Sequence, residues 1–312
     1  MPTTLDCRLL CACACAYDIT AGTNTYIPTS GTELYRNTVA FTSALTTSCG
    51  GFEQINACLI GQNADGIIVA FRGTLPASVH TPESLVDWLG DFFEVPTSGE
   101  AGTGKIPGLV HSGFYNATMC VIAGVAAAVQ ALNPAGQFPV YVTGHSKGGA
   151  LASLGAWILS QNLGIPVAKV VTFASPKTGD VAFQQAYQAK LNQIRYENYQ
   201  DIVPLLPPSG VFVGWANKLD LIPGAPKDLL RLFQKGQEWG YEPVGQLQFI
   251  QSAAQGHQVI ADEPIGKQIW DVVTELGDDI WHQKFDSFLD AHSLGCGLGY
   301  MSAACPGVCP PK

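Results

Sequence analysis

Apolar positions along this chain fall into two kinds of run. Gly66–Phe71 (Gly-Ile-Ile-Val-Ala-Phe), Val140–Thr143 and Ala168–Phe173 are short and mostly unbroken, and Ile194–Tyr199 is short and interrupted by Arg195, Glu197 and Asn198. Runs of that length predict strands covered on both faces. Gly113–Leu132, Gly148–Gln161 and Asp180–Asn192 are longer and predict helices between them. The alternation predicts an α/β architecture with a mostly parallel sheet and crossover helices on both faces. No internal repeat or low-complexity linker interrupts it. Residues 207–264 break the rhythm with Pro207-Pro208, Gly210, Pro223-Gly224 and Pro226. They are expected to form an irregular insertion over the carboxyl ends of the strands, within one domain spanning residues 1–312.

A second periodicity stands at Thr81–Phe93. Thr81 suits an N-cap and Pro82 the first helical position. Leu85, Val86, Trp88, Leu89, Phe92 and Phe93 then recur at helical spacing, with Asp87 and Asp91 opposite them. That pattern predicts an amphipathic helix, which packing on the sheet alone would also explain.

One junction carries chemistry. Val140–Thr143 runs into Gly144-His145-Ser146-Lys147-Gly148, a G-x-S-x-G between a strand and a helix. A sharp strand-to-helix turn needs small residues on both sides, because a Cβ there collides with the nearby backbone. It holds the serine at the carboxyl edge of the sheet, and the following helix N-terminus aims N–H groups at whatever the serine attacks. Ser146 is therefore a candidate nucleophile, to be activated by a histidine.

The partners of a serine follow it in this kind of sheet in the order acid, then histidine. Asp201 lies just past the Ile194–Tyr199 strand and before Pro204, at the edge where Ser146 is expected. His257, His282 and His292 follow, and the spacing alone leaves all three open, with His292 preferred. Val203, Leu205, Leu206, Pro207, Val211, Phe212 and Val213 after the acid are candidates for an acyl-binding groove or for ordinary core.

Composition narrows the function. The chain has 312 residues, of which 47% are hydrophobic and 13% charged, enough apolar material for one large core. Its net charge of −9 offers no basic stripe to neutralise phosphates, which argues against nucleic acid. The same sparse charge does not oppose contact with a neutral lipid droplet. No transmembrane segment is expected, since the longest apolar stretch, Met119–Val129, is short and reads as a buried helix. A monomer is expected. No cleavage pattern follows Arg8, so the cytoplasm is favoured unless the chain is a processed secreted form.

Ten cysteines stand at 7, 11, 13, 15, 49, 58, 120, 296, 305 and 309. Cys11, Cys13 and Cys15 alternate with alanine and lack a nearby histidine, so buried small side chains are expected there rather than a metal site. Cys49 with Cys58, and Cys305 with Cys309, are candidate disulfides in an oxidising compartment.

Five segments together resemble the class 3 lipase family of α/β-hydrolases. They are Val69–Thr74 (Val-Ala-Phe-Arg-Gly-Thr), Val110–Phe114 (Val-His-Ser-Gly-Phe), Val142–Ala150, Asn198–Pro204 (Asn-Tyr-Gln-Asp-Ile-Val-Pro) and Asp290–Leu294 (Asp-Ala-His-Ser-Leu). The resemblance runs from about residue 17 to residue 300. It implies an α/β-hydrolase fold with a helical lid, and Ser146, Asp201 and His292 as nucleophile, acid and base. It implies an oxyanion hole from Thr74 and the N–H of Lys147. It makes Thr81–Phe93 the lid, within about 75–95, with Leu85, Val86, Trp88, Leu89, Val203 and Leu206 on the lid or against the substrate. The implied activity is hydrolysis of acylglycerol esters at a lipid–water interface without metal or organic cofactor. A carboxylesterase or phospholipase is the near alternative, and a silent hydrolase scaffold the distant one. Two departures stand out. Lys147 replaces a more usual apolar residue, and the extra Ala291 between Asp290 and His292 keeps His282 as a reserve base.

Overall fold

Eight strands form one sheet in which neighbours in sequence are also neighbours in space. They are β1 (Ser43–Cys49), β2 (Asn56–Asn63), β3 (Gly66–Phe71), β4 (Val140–His145), β5 (Lys169–Phe173), β6 (Gln193–Asn198), β7 (Gln246–Ile250) and β8 (Val259–Ala261). The structure is a computed structural model. It describes residues 3–20, 25–29, 31–50, 56–74, 89–90, 92–101, 104–209, 212–214, 227–252, 255–261, 263–282 and 285–309. Strands β3 to β7 are parallel, with Val69 opposite Val142, Thr143 opposite Val171, and Val171 opposite Ile194. The two edges turn antiparallel, β1–β2–β3 on one side and β7–β8 on the other. All six residues of β3 are buried, as a strand covered on both faces requires.

The helices are α1 (Leu5–Ala16), α2 (Glu33–Val39), α3 (Ser112–Leu132), α4 (Lys147–Trp157), α5 (Val181–Gln188), α6 (Lys227–Gly236), α7 (Ile265–His282), α8 (Phe285–His292) and α9 (Met301–Ala304). One face of the sheet takes α1, whose first turn is capped by Thr4 Oγ accepting from the Cys7 N–H. Cys11, Cys13 and Cys15 are fully buried there, packed with Ile68, Ala70, Val171 and Phe173. Their small size lets the helix lie close to the strands, and Cys13 Sγ sits 3.2 Å from Thr143 Oγ1. Ion pairs from Lys169 to Asp6 and from Arg8 to Asp65 tie α1 to the sheet. The other face takes α3, α4 and α7. Helix α3 is long and apolar enough to cross a membrane by length and composition, yet here it packs on β1, β2 and α4.

The structure changes three expectations. The irregular stretch expected at 207–264 contributes α6 and the two sheet strands β7 and β8. The alternation of Gln246-Leu-Gln-Phe-Ile was masked by the surrounding prolines and glycines, and it emerges because β6 offers its open edge. The helix expected over Asp180–Asn192 ends at Gln188. The cysteines pair as Cys7–Cys305, Cys49–Cys120 and Cys296–Cys309, not as Cys49–Cys58 or Cys305–Cys309. Cys58 stands opposite Thr47 in the core that also takes α3, buried and free. Three disulfides also run against the cytoplasmic expectation, because thiols are kept reduced in that compartment.

Cys49–Cys120 joins β1 to α3 across a separation of 71 residues. Replacing both cysteines by alanine is expected to lower unfolding stability by roughly 2–4 kcal/mol, through the regained freedom of the unfolded chain. Urea unfolding checks it, and an unchanged midpoint would show that the crosslink adds nothing.

Candidate active site

Strand β4 ends at His145, the chain reverses at Ser146, and α4 starts at Lys147. Ser146 holds φ 58° and ψ −134°, a conformation that costs a residue with a Cβ about 1–3 kcal/mol. The surroundings impose it. The Ser146 N–H donates to the Phe173 carbonyl on β5 at 3.0 Å, and the Ser146 carbonyl accepts from Gly149 N–H at 2.8 Å. A Cβ on Gly144 would stand 2.0 Å from the Gly148 carbonyl oxygen, and one on Gly148 would stand 2.2 Å from that of Phe71. Both glycines of the motif are therefore required by contact with backbone.

The end of β3 closes against this turn. A Cβ on Gly73 would meet the His145 carbonyl oxygen at 2.6 Å and Ser146 Cβ at 3.1 Å. Thr74 follows directly and is partly buried. The Lys147 N–H opens α4, where the helix dipole favours negative charge. Its side chain turns away to donate to Asn56 Oδ1 at 3.1 Å.

Asp201 comes from the turn after β6, and His292 is the last residue of α8. They are 91 residues apart, yet His292 Nδ1 lies 3.0 and 2.9 Å from the two Asp201 carboxylate oxygens. Both side chains are buried. Asp201 also accepts from the Val203 N–H at 3.0 Å and from the Tyr300 hydroxyl at 2.7 Å. With these donors fixed, the carboxylate plane is fixed, and with it the imidazole. Asn198 clamps the same region by donating to the carbonyls of Ala291 and Leu298. His282 is half exposed on α7 and pairs with Asp278 one turn back, so the reserve base is not at this site. His257 lies in a tight turn whose backbone N–H bonds to Ser252.

Two contributors carried no readable signal. His145 reads in sequence as the spacer of G-x-S-x-G. Burial pushes its pKa down to about 3, so it is neutral. A carbonyl can only accept, so His145 Nε2–H donates to the His292 carbonyl at 2.6 Å. Nδ1 then accepts from the Tyr17 hydroxyl at 2.8 Å, which burial keeps protonated. The end of α1 is thus linked to the backbone of His292. Tyr300, likewise, is an isolated tyrosine in a glycine-rich tail, and only the tertiary contact gives it meaning. Tyr300→Phe is expected to lower kcat on an ester about ten- to a hundredfold with little change in KM, as removal of one hydrogen bond to a carboxylate should. Steady-state kinetics checks this, and an unchanged kcat would make Tyr300 a packing residue only.

Leu85, Val86 and Trp88 lie outside the described residues. Leu89 is described, fully buried, in the same cluster as Phe92, Phe212 and Phe233. Phe93 stacks on Phe233 with ring centroids 6.1 Å apart. Val203 and Leu206 are fully buried in that cluster too. The sulfurs of Cys7, Cys11 and Cys305 lie within 4.8 Å of one another, but two of them form a disulfide, which leaves Cys11 alone.

Comparison with known proteins finds similar sequences and similar folds. Residues 68–211 match the family model described as Lipase (class 3). A secreted mono- and diacylglycerol lipase A of Penicillium cyclopium is 32% identical over 144 residues, covering 45% of this chain and 43% of that sequence. A rice protein named phospholipase A1-II 6 is 28% identical over 198 residues, covering 53% of this chain and 46% of its own. The chain therefore spans less than half the length of these relatives. A Rhizomucor miehei lipase–propeptide complex superposes with a TM-score of 0.60 at 21% identity, covering 87% of this chain and 76% of that one. The fold is the α/β-hydrolase fold.

Proposed function

From a chain whose residues 68–211 match the class 3 lipases, we propose a serine ester hydrolase that cleaves acylglycerols through an acyl-enzyme. The observation that carries this reading is the pairing of His292 Nδ1 with buried Asp201 at the sheet edge where the left-handed turn holds Ser146. Because Nδ1 faces the carboxylate, the proton sits there and Nε2 is the nitrogen that accepts. His292 takes the proton of the Ser146 hydroxyl, and the alkoxide attacks the ester carbonyl. The Lys147 N–H and Thr74 hold the oxyanion. Removing one such donor typically costs about 10²–10³ in kcat. His292 then returns the proton to the leaving alcohol, and water repeats the cycle on the acyl-enzyme.

The domain is proposed to span residues 1–312, with a lid within about 75–95. In this reading Leu89 holds the lid down on the cluster that contains Val203 and Leu206, and lifting it exposes that side to an acyl chain. Every proposed site residue comes from one chain, so a monomer suffices, working at a neutral lipid–water interface outside the cytoplasm. The three disulfides and the secreted Penicillium relative support that location.

Tributyrin hydrolysis followed by pH-stat across the solubility limit tests the reading, with Ser146→Ala as the blank. A rise in rate when droplets form is expected. Saturation below the limit would remove the lid and leave an esterase, and no rate above the blank would remove the hydrolase. The rice relative favours a phospholipase as the second reading, and the same assay on phosphatidylcholine separates the two.

A further inference from the structure

A cavity of about 620 Å3 opens beneath the turn that carries Asp201. Its roof includes Pro204 and Leu205, and its walls include Lys177, Glu242, Leu247 and Ile265. Lys177 is 5% exposed, and its ammonium makes no hydrogen bond and no ion pair among the described residues. Other charges around it are already matched. Arg195 pairs with Glu197 and donates to the Gly245 carbonyl, and Glu263 pairs with Lys267. Glu242 is the exception, with neither a hydrogen bond nor an ion pair among the described residues.

Lys177 and Glu242 come from neighbouring stretches of backbone, yet they do not pair. Gly179 pairs with Glu242 in an antiparallel ribbon, and Lys177 lies two residues before Gly179. The ribbon fixes both backbones, and the two charges do not close to within salt-bridge distance. Burial lowers the Lys177 pKa to about 8, with Glu242 the largest influence holding it up, so it is mainly cationic at neutral pH. A buried unpaired charge is costly, and a ligand that matches it recovers that cost.

The unpaired cation and unpaired anion select the ligand. A simple anion on Lys177 would face Glu242, and a simple cation on Glu242 would face Lys177. A group carrying both charges satisfies both. An ethylene bridge separates the charges of a phosphocholine or phosphoethanolamine, whereas those of an amino acid sit on one carbon and would leave most of the cavity empty. The apolar wall of Leu205, Leu247 and Ile265 continues from the charged end. We propose that this cavity binds a zwitterionic phosphodiester headgroup, with its phosphate on Lys177 and its ammonium on Glu242, separately from Ser146.

The test is calorimetric titration of Ser146→Ala protein, which keeps the result independent of hydrolysis. The probes are dihexanoyl-phosphatidylcholine below its micelle concentration, glycerophosphocholine and hexanoate. Saturable binding of the lipid is expected, weakened at least tenfold by Lys177→Met and separately by Glu242→Gln. Lipid binding tighter than that of glycerophosphocholine would assign the apolar wall to acyl chains. Equal affinity would assign the site to the free headgroup, and both results uphold the zwitterion. No saturable heat, or binding indifferent to both substitutions, overturns the proposal. So does hexanoate binding as tightly as the lipid with no effect of Glu242→Gln. Thermal melts control for folding. A lysine whose pKa falls from 10.5 unfolded to about 8 folded weakens the fold below pH 8, and the penalty fades as pH rises toward 10.5. Lys177→Met should therefore melt no lower than its parent at pH 7.

Discussion

Ser146→Ala is expected to abolish ester hydrolysis, with kcat falling roughly 10⁵- to 10⁶-fold, as loss of the nucleophile does in serine hydrolases. Labelling by a fluorophosphonate should vanish with it. Stability should not follow activity. Alanine keeps the Cβ and therefore keeps the strain of φ 58°. Ser146→Gly removes it and should be equally inactive but more stable than the alanine variant by about 1 kcal/mol or more. Parallel urea unfolding of the two variants measures the difference. A glycine variant no more stable than alanine would mean that the turn is unstrained, and an active alanine variant would move the chemistry to another residue.

Asp201→Asn is the second large effect, a loss of about 10⁴ in kcat with an intact fold. The reason lies in donor counting. Asp201 now accepts from the Val203 N–H, the Tyr300 hydroxyl and His292 Nδ1. An asparagine has one acceptor atom, and the Val203 N–H holds it in place because a backbone donor cannot rotate away. The amide NH₂ then faces His292 Nδ1, which must become the acceptor. The imidazole proton moves to Nε2, the nitrogen that has to receive the Ser146 proton. Kinetics on a soluble short-chain ester, compared with the melting temperature, checks this. A loss below a hundredfold would mean that His292 is oriented by other contacts, of which the Tyr17–His145 link to its carbonyl is the strongest candidate.

The two variants separate what each part of the site supplies. Ser146 acts through its own oxygen, so its removal deletes the reaction. Asp201 acts through the tautomer of His292, so its replacement leaves the nucleophile and the oxyanion donors standing. Tyr300 acts one bond further out, and its smaller expected effect follows from that distance.

The sequence by itself determined the parts of this protein whose signal is local. Gly66–Phe71 and Val140–Thr143 could be read as covered strands because unbroken β-branched runs fit little else. Gly144 and Gly148 announced the turn because a Cβ at either has no room. Asp201 could be found from the turn that ends β6, since chain order in a parallel sheet sets which edge a loop occupies. Tertiary structure alone decided what depends on residues far apart. His292 rather than His282 meets Asp201 because α8 ends over β6, a docking that Asn198 and Tyr300 secure across about a hundred residues. Cys49 pairs with Cys120 rather than Cys58 because α3 lies over β1, while Cys58 stands opposite Thr47, two residues along the strand from Cys49. Strands β7 and β8 pair because β6 leaves an open edge, whereas in the sequence the alternation at 246–250 is masked by the prolines and glycines around it. The division follows from the physics. Steric exclusion and periodicity act between neighbours in the chain, whereas pairing of charges, thiols and strand edges is settled only when the folded chain brings the partners together.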